Sequence, residues 1–182
     1  GHWGRTGGEV LCLGAGGAGI AISLHLMTRP DPADRPRRIV AVDKDPDRLA
    51  SMRRILSALD SDTEVEYILS AEASTNDGLM AALPPCSMVI NATGMGKDRP
   101  GSPISDEARF PERGIVWELN YRGALDFLHQ AERQAQERSL QIHDGWIYFI
   151  HGWTSVMEQV FDIAISPQQL AEMSTIARRA FA

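Results

Sequence analysis

The stretch EVLCLGAGGAGIAISL, from Glu9 to Leu24, runs from apolar residues into a glycine-rich turn and back to apolar residues at a different spacing. This order predicts a buried strand over Glu9 to Leu13 and a helix that begins near Gly17. Gly14 would allow a sharp turn after the strand, Gly16 or Gly17 would let a pyrophosphate approach the backbone, and Gly19 would let helix and strand pack closely. The free N–H groups at the start of the helix would then face the phosphates. A Gly-rich turn with a purely structural role is the alternative.

The rest of the chain repeats this alternation of short apolar runs and helical patterns, which is typical of βαβ units and a parallel sheet. Six strands are predicted: Glu9 to Leu13, Arg38 to Val42, Val65 to Leu69, Ser87 to Asn91, Ile115 to Leu119 and Leu140 to His143. Helices are predicted near Gly17 to Met27, Asp47 to Leu59, Asn76 to Leu83 and Leu125 to Arg138, with two more after Asp144 that are separated near Ser166-Pro167. We therefore expect an α/β fold with a doubly wound, Rossmann-type parallel sheet and helices on both faces. Residues 1–182 would form a single dinucleotide-binding domain, onto which helices 144–182 pack back.

Composition excludes several classes of function. A formal net charge of −6 and the absence of a clustered basic face argue against nucleic-acid binding and against binding to a membrane surface. No apolar run approaches the ~20 residues that cross a bilayer, and the start does not resemble a signal peptide, so we expect a cytoplasmic protein. Cys12 lies in a predicted strand and Cys86 directly precedes one, neither has metal-ligand spacing, and the five histidines are dispersed, so no metal site is expected.

Asp43 ends the second strand in IVAVDKD, 24 residues after Gly19. A carboxylate at this position accepts hydrogen bonds from the ribose hydroxyls of NAD and repels the 2′-phosphate of NADP. We therefore predict NAD as the cofactor, with NADP less favoured. Lys44 or the group Arg35 to Arg38 could offset the carboxylate, and Asp43 could instead cap the helix entry at Asp45-Pro46.

At SMVINATGMGKD, where Asn91, Ala92 and Thr93 follow the fourth strand, the sequence resembles the NAT(S/P)xGM segment of shikimate dehydrogenases. Three further motifs of this family have similar stretches in the same order. LGAGGAG resembles its glycine-rich turn, VWELNYRGALDFLHQA its VYDxxYxPxxTPLL stretch, and DGWIYFIHGWTSVMEQVF its (D/N)GxxMLxxQAxxxFxxW helix. The chain therefore resembles the C-terminal nucleotide-binding domain of a shikimate or quinate dehydrogenase.

The resemblance implies reversible hydride transfer between a nicotinamide and a cyclic hydroxy acid or polyol. The cofactor-binding positions that it implies are Gly14, Ala15, Gly16, Gly17, Ala18, Asp43, Asn91, Ala92, Thr93, Leu119, Gly145 and Tyr148. Tyr121 stands at the family tyrosine that faces the substrate. Each position also has an ordinary structural interpretation: Leu119 as core filler, Tyr148 as a helix residue and Asn91 as a turn former.

The departures from the family concern the substrate and the catalytic groups. Gly152, beside His151, stands where the family has a glutamine that binds substrate hydroxyls, so shikimate should be used poorly unless His151 takes over that role. The family places its proton-transfer Lys and Asp in an N-terminal substrate domain, and only eight residues precede the first strand here. We therefore assign no catalytic residue to this chain and expect the isolated chain to be inactive, with that N-terminal domain as its partner. A homodimer is compatible with the resemblance.

Two other functions stay open from the sequence. The chain could be the nucleotide domain of a related two-domain oxidoreductase, such as a glutamyl-tRNA reductase or a methylene-tetrahydrofolate dehydrogenase. It could also be a non-catalytic NAD-binding sensor or regulatory module.

Overall fold

The computed structural model describes residues 1–181, in which a central sheet is flanked by helices. The strands are β1 (Val10–Leu13), β2 (Arg38–Asp43), β3 (Glu64–Leu69), β4 (Met88–Asn91), β5 (Ile115–Glu118) and β6 (Gln141–His143). The helices are α1 (His2–Thr6), α2 (Gly17–Met27), α3 (Pro46–Leu56), α4 (Ala73–Ala81), α5 (Asp126–Gln134), α6 (Trp146–Phe161) and α7 (Pro167–Phe181). A short 3-10 turn, Pro32–Asp34, lies in the connection between α2 and β2.

All strand pairs in the sheet are parallel, in the order β3-β2-β1-β4-β5-β6. This is the strand order of the dinucleotide-binding fold. The chain adds β2 and β3 on one side of β1 and then crosses back to place β4 on its other side, so the switch point lies between β1 and β4. The predicted doubly wound α/β fold is confirmed. Loops at the carboxyl ends of β1 and β4 therefore border the crevice where such sheets bind ligands.

The predicted strands agree with the observed ones to within one residue at either end. Helix α2 matches its prediction at both ends, whereas α3 ends at Leu56 and α5 ends at Gln134, both short of the predicted bounds. In each case the chain continues in turns, such as the one closed by Leu59 N–H and the Leu56 carbonyl at 3.1 Å. Helix α1 was not predicted, and its buried Trp3 packs against the core.

Two apolar layers cover the faces of the sheet. Along β1, Leu11 and Leu13 lie in one layer and Val10 lies in the other, because successive side chains point to opposite faces. The first layer includes Phe127 of α5, and the second includes Met52 of α3. Long connections are often mobile or functional, but part of the connection between β4 and β5 belongs to the core, since Phe110 is fully buried there.

The C-terminal helices contact the domain mainly through the first half of α6. Trp146, Ile150 and Thr154 are buried, and Trp146 Nε1 donates to Ser174 Oγ of α7 at 2.8 Å. Several large apolar side chains of this helix pair stay exposed: Ile147, Trp153, Val156, Val160, Phe161 and Ile176. Among the described residues, no helix combines the length and apolar character needed to cross a membrane.

Candidate dinucleotide site

The glycine-rich turn has the backbone conformation that the sequence predicted. Gly14 has a φ of 110°, and a Cβ there would lie 2.6 Å from the Ala92 carbonyl carbon. A Cβ on Gly19 would lie 2.1 Å from the Gly14 carbonyl oxygen, so α2 can approach β1 only because residue 19 has no side chain. A Cβ on Gly17 would meet nothing within 4 Å, so the first turn of α2 is open on that side. Open backbone N–H groups at a helix start suit a phosphate.

Asp43 at the end of β2 holds this turn in place. Its Oδ2 accepts a hydrogen bond from Ala15 N–H at 2.8 Å, and its Oδ1 accepts one from Asp45 N–H at 3.0 Å. A carboxylate has about four acceptor positions, so Asp43 can still accept from a ribose hydroxyl. Asp45 is the cap of α3, because its side chain accepts from Asp47 N–H.

The basic residues near Asp43 divide into two groups. Lys44, Arg48 and Arg99 line a small cavity of about 100 Å³ together with Asp43 and Thr93. The group Arg35 to Arg38 precedes or begins β2 and therefore lies at the other end of that strand. The buried Glu9 carboxylate binds Arg37 at 2.7 Å and Arg38 at 3.0 Å. The expectation that this group could offset Asp43 is therefore wrong, and Lys44 keeps that role.

A second cavity, of about 210 Å³, lies where β4 and β5 end; it is called the larger cavity below, and the cavity at Asp43 the smaller one. Six of the residues that the sequence singled out line it: Ala18, Asn91, Ala92, Leu119, Tyr121 and Tyr148. Gly145 caps α6 nearby, and a Cβ there would lie 2.0 Å from the Leu119 carbonyl oxygen. Tyr121 stacks on Phe149 with ring centroids 3.9 Å apart, which fixes one wall of the cavity.

Gly152 is not among the residues that line this cavity. It lies one helical turn beyond Tyr148 in α6, and a Cβ there would meet nothing within 4 Å. The described residues therefore leave the position open to a partner or ligand outside this domain.

Asn91 connects the loop after β4 to the loop after β5. Its Oδ1 accepts from Thr93 N–H at 3.1 Å and from the Thr93 hydroxyl at 2.6 Å. Its Nδ2 donates to the Met95 carbonyl at 3.2 Å and to Glu118 Oε2 at 2.8 Å. Every polar atom of the Asn91 side chain is thus in use inside the protein, so Asn91 would shape the site through its neighbours.

Three further residues at this site, Glu118, Asn120 and Lys97, were not predicted from the sequence. Glu118 is fully buried at the end of β5, and Asn120 Nδ2 donates to the Met95 carbonyl at 2.8 Å. Lys97 lines the larger cavity, with its Nζ 3.1 Å from Asp98 Oδ2. A charged residue inside the apolar run IVWEL was the available signal for Glu118.

The two cysteines, Cys12 and Cys86, do not form a disulfide with each other. Both are free thiols, and burial raises the pKa of Cys12 to about 12, with the nearby Asp43 charge adding to the effect. Within residues 1–181, no group of three or more His, Cys, Asp or Glu side chains could hold a metal ion.

Known proteins share both sequence and fold with this chain, although no family profile matches it. It is 26% identical over 130 residues to the shikimate dehydrogenase (NADP(+)) of Lactococcus lactis subsp. cremoris strain MG1363. The matched region covers 71% of this chain and 43% of that enzyme. Quinate dehydrogenase from Corynebacterium glutamicum, solved in complex with NAD, superposes with a TM-score of 0.64 at 18% identity, covering 93% of this chain and 55% of that one. The 5-ketofructose reductase of Gluconobacter sp. strain CHM43 gives a TM-score of 0.60 at 17% identity, covering 96% and 58%. The chain thus spans about half the length of these proteins.

Proposed function

We infer from the match to a shikimate dehydrogenase and from the shared fold that this chain is the C-terminal NAD(P)-binding domain of a shikimate/quinate dehydrogenase-like oxidoreductase. The observation that carries this function is the convergence of three features at one edge of the sheet. The open glycine turn, the Asp43 carboxylate and the Asn91 loop all lie at the carboxyl ends of neighbouring strands. Such an edge is where doubly wound sheets bind dinucleotides.

The residues present fit such a cofactor. Gly14, Ala15, Gly16, Gly17 and Ala18 would hold the pyrophosphate through backbone N–H groups, and Asp43 would accept from the adenosine ribose. Asn91, Ala92, Thr93, Leu119, Gly145 and Tyr148 would border the nicotinamide half. The nicotinamide ring supplies the hydride chemistry when the cofactor is bound.

The substrate we propose is a small cyclic hydroxy acid or polyol, bound between Tyr121 and a second domain of the full-length protein. Support comes from the larger cavity, in which Tyr121 lies beside Ala92 and Leu119, and from the half-length match to the relatives. Gly152 has no side-chain amide that could form a hydrogen bond with a substrate hydroxyl, in contrast to the glutamine of the family. This difference favours a ring substituted differently from shikimate. The proton-transfer groups would belong to the second domain.

For the cofactor we propose NAD, with NADP as the second candidate. Asp43 lies at the turn and repels a 2′-phosphate, which favours NAD. The cationic side chains of Lys44, Arg48 and Arg99 favour NADP. Lys44 and Arg99 are exposed, however, and Arg48 Nε lies 3.5 Å from Asp45 Oδ2, so their electrostatic attraction for a 2′-phosphate is weakened. We further propose that the enzyme is cytoplasmic and that two copies assemble as a homodimer.

Two measurements test this function. Calorimetric titration of the chain with NAD and NADP should show saturable binding of at least one of them. The full-length protein should then reduce that cofactor with one member of a panel containing shikimate, quinate and other cyclic polyols. Lack of dinucleotide binding would refute the function, whereas binding with no turnover of any panel member by the full-length protein would favour a sensor.

A further inference from the structure

Glu118 is a buried carboxylate without a cationic partner in the described part of the chain. Its side chain is fully buried, and no Lys, Arg or His nitrogen of residues 1–181 lies within salt-bridge distance of it. Instead, Oε2 accepts from Asn91 Nδ2 and Oε1 accepts from Asn120 N–H, each at 2.8 Å. A buried carboxylate is retained only where donors compensate for its desolvation.

These bonds join the two loops that border the larger cavity. Asn91 belongs to β4 and Asn120 follows β5, and the amides of both donate to the Met95 carbonyl, at 3.2 and 2.8 Å. Glu118 therefore sets the positions of the loop that starts at Ala92 and of the loop that leads to Tyr121.

The network is strongest when Glu118 is ionised. A proton on the carboxyl group removes the charge, so its oxygens become weaker acceptors for the two N–H donors that point at them. A flip of the Asn91 amide would offer Oδ1 to the new proton, but Oδ1 already accepts from the backbone and the hydroxyl of Thr93. Protonation thus weakens the hydrogen bonds by which Glu118 holds Asn91 and Asn120.

We propose that Glu118 is a positioning residue for the nicotinamide half of the cofactor, and that its protonation loosens the loop Asn91 to Met95 and weakens binding of that half alone. The inference rests on the proposed dinucleotide function. The pyrophosphate and the adenosine ribose would be bound by α2 and Asp43, which share no hydrogen bond with Glu118.

Both charge states of Glu118 occur near neutral pH. Burial raises the pKa of Glu118 to about 7, against the lowering effect of the hydrogen bonds from Asn120 and Asn91. The titratable groups on the surrounding segments are Lys97, Asp98 and Arg99 after β4, Tyr121 and Arg122 after β5, His143 and Asp144 at the end of β6, and Asp126 in the first turn of α5, which packs against β5. None of them contributes to the raised pKa.

The test compares NAD with ADP-ribose, which has the same pyrophosphate and adenosine but lacks nicotinamide. The Kd of each is measured with the 182-residue chain from pH 6 to pH 8. We expect the ratio Kd(NAD)/Kd(ADP-ribose) to rise about tenfold towards pH 6, the change that one lost hydrogen bond produces. Glu118→Gln, which presents an N–H donor to one of the two donors, should keep the high ratio at every pH. Glu118→Asp, which keeps the charge, should restore the pH dependence.

The side-chain amide resonances of Asn91 provide a readout that does not depend on binding. In the ligand-free chain they should shift with a midpoint near pH 7, and Glu118→Gln should abolish that shift. A constant Kd ratio in the unmutated chain, or an unchanged pH profile in Glu118→Gln, would overturn the positioning role. Failure of both ligands to bind would instead overturn the proposed function.

Discussion

Asp43 acts on two neighbours at once, which changes what its substitution should do. Its carboxylate accepts hydrogen bonds from Ala15 N–H and Asp45 N–H and also lines the smaller cavity. Asp43→Asn keeps one acceptor for the turn but removes the negative charge. Binding of NAD should weaken about tenfold, the effect of one charge-assisted bond, while binding of NADP should change less or improve.

Calorimetry with both cofactors checks this prediction, with Asp47→Asn as the control. Asp47 lies exposed in the first turn of the same helix that Asp45 caps, so its substitution removes the same charge nearby. If Asp43→Asn and Asp47→Asn change the NAD/NADP preference equally, the preference depends only on the total negative charge in this region, and Asp43 does not contact the ribose.

Glu118 also makes the stability of the domain depend on pH. Its pKa is about 7 in the folded protein and 4.5 ordinarily, so between these values the folded state binds more protons than the unfolded chain. The free energy of unfolding should therefore decrease as pH rises from about 4.5 to about 7 and stay low above it. The contribution is roughly 3 kcal/mol, since each unit of difference between folded and unfolded pKa corresponds to about 1.4 kcal/mol.

Urea denaturation at a series of pH values measures this effect. Glu118→Gln should remove the decrease between pH 5 and pH 7, and the exposed Glu112→Gln should leave it in place. Equal slopes for the two variants would mean that other groups cause the pH dependence.

At the scale of elements, β1 and α2 show how one sequence motif serves both packing and binding. Gly19→Ala would place a methyl group 2.1 Å from the Gly14 carbonyl oxygen, so α2 must move away from β1. We expect a loss of about 1–3 kcal/mol in the free energy of unfolding. Gly17→Ala meets no atom within 4 Å and should leave stability within about 1 kcal/mol or raise it.

Gly19→Ala should mainly lower the stability of the domain, whereas Gly17→Ala should mainly lower its affinity for the phosphates of a dinucleotide. Gly17→Ala should lower dinucleotide affinity while the domain stays folded, because its methyl group occupies the side where a phosphate would approach. Thermal denaturation and NAD titration on both variants separate the two roles. Normal NAD binding by Gly17→Ala would place the phosphates elsewhere.

The elements were predictable from sequence because they depend on local patterns. The apolar run and the glycine break at Gly14 to Gly17 located β1 and α2 closely, and the doubly wound sheet followed from the alternation of strands and helices along the chain. The network around Glu118 was not predictable, since Asn91 and Glu118 are 27 residues apart and meet only because β4 and β5 are neighbours in register. The wrong expectation for Arg35 to Arg38 has a different cause, because the predicted strand Arg38 to Val42 already placed this group and Asp43 at opposite ends of one strand.

At the scale of the whole molecule, the switch between β1 and β4 brings two cavities to one edge of the sheet. The cavity at Asp43 and the cavity at Tyr121 are separated by the loop Asn91 to Met95, whose residues contribute to both. A dinucleotide can therefore lie across this loop with its two halves on either side. An enzyme built on this plan needs a second surface to hold the substrate against the nicotinamide, and the relatives are about twice as long as this chain.

The isolated chain should therefore bind dinucleotide without catalysing turnover. The glycine turn and Asp43 provide the binding groups, whereas the resemblance assigns the proton-transfer Lys and Asp to the second domain. Lys97 places an ammonium group at the larger cavity, where its Nζ lies 3.1 Å from Asp98 Oδ2 in an ion pair. With NAD and shikimate or quinate added, absorbance of the reduced nicotinamide should stay constant while calorimetry on the same sample shows saturable NAD binding. Sustained reduction of NAD by this chain alone, abolished by Lys97→Met, would instead place the proton-transfer group in the loop after β4.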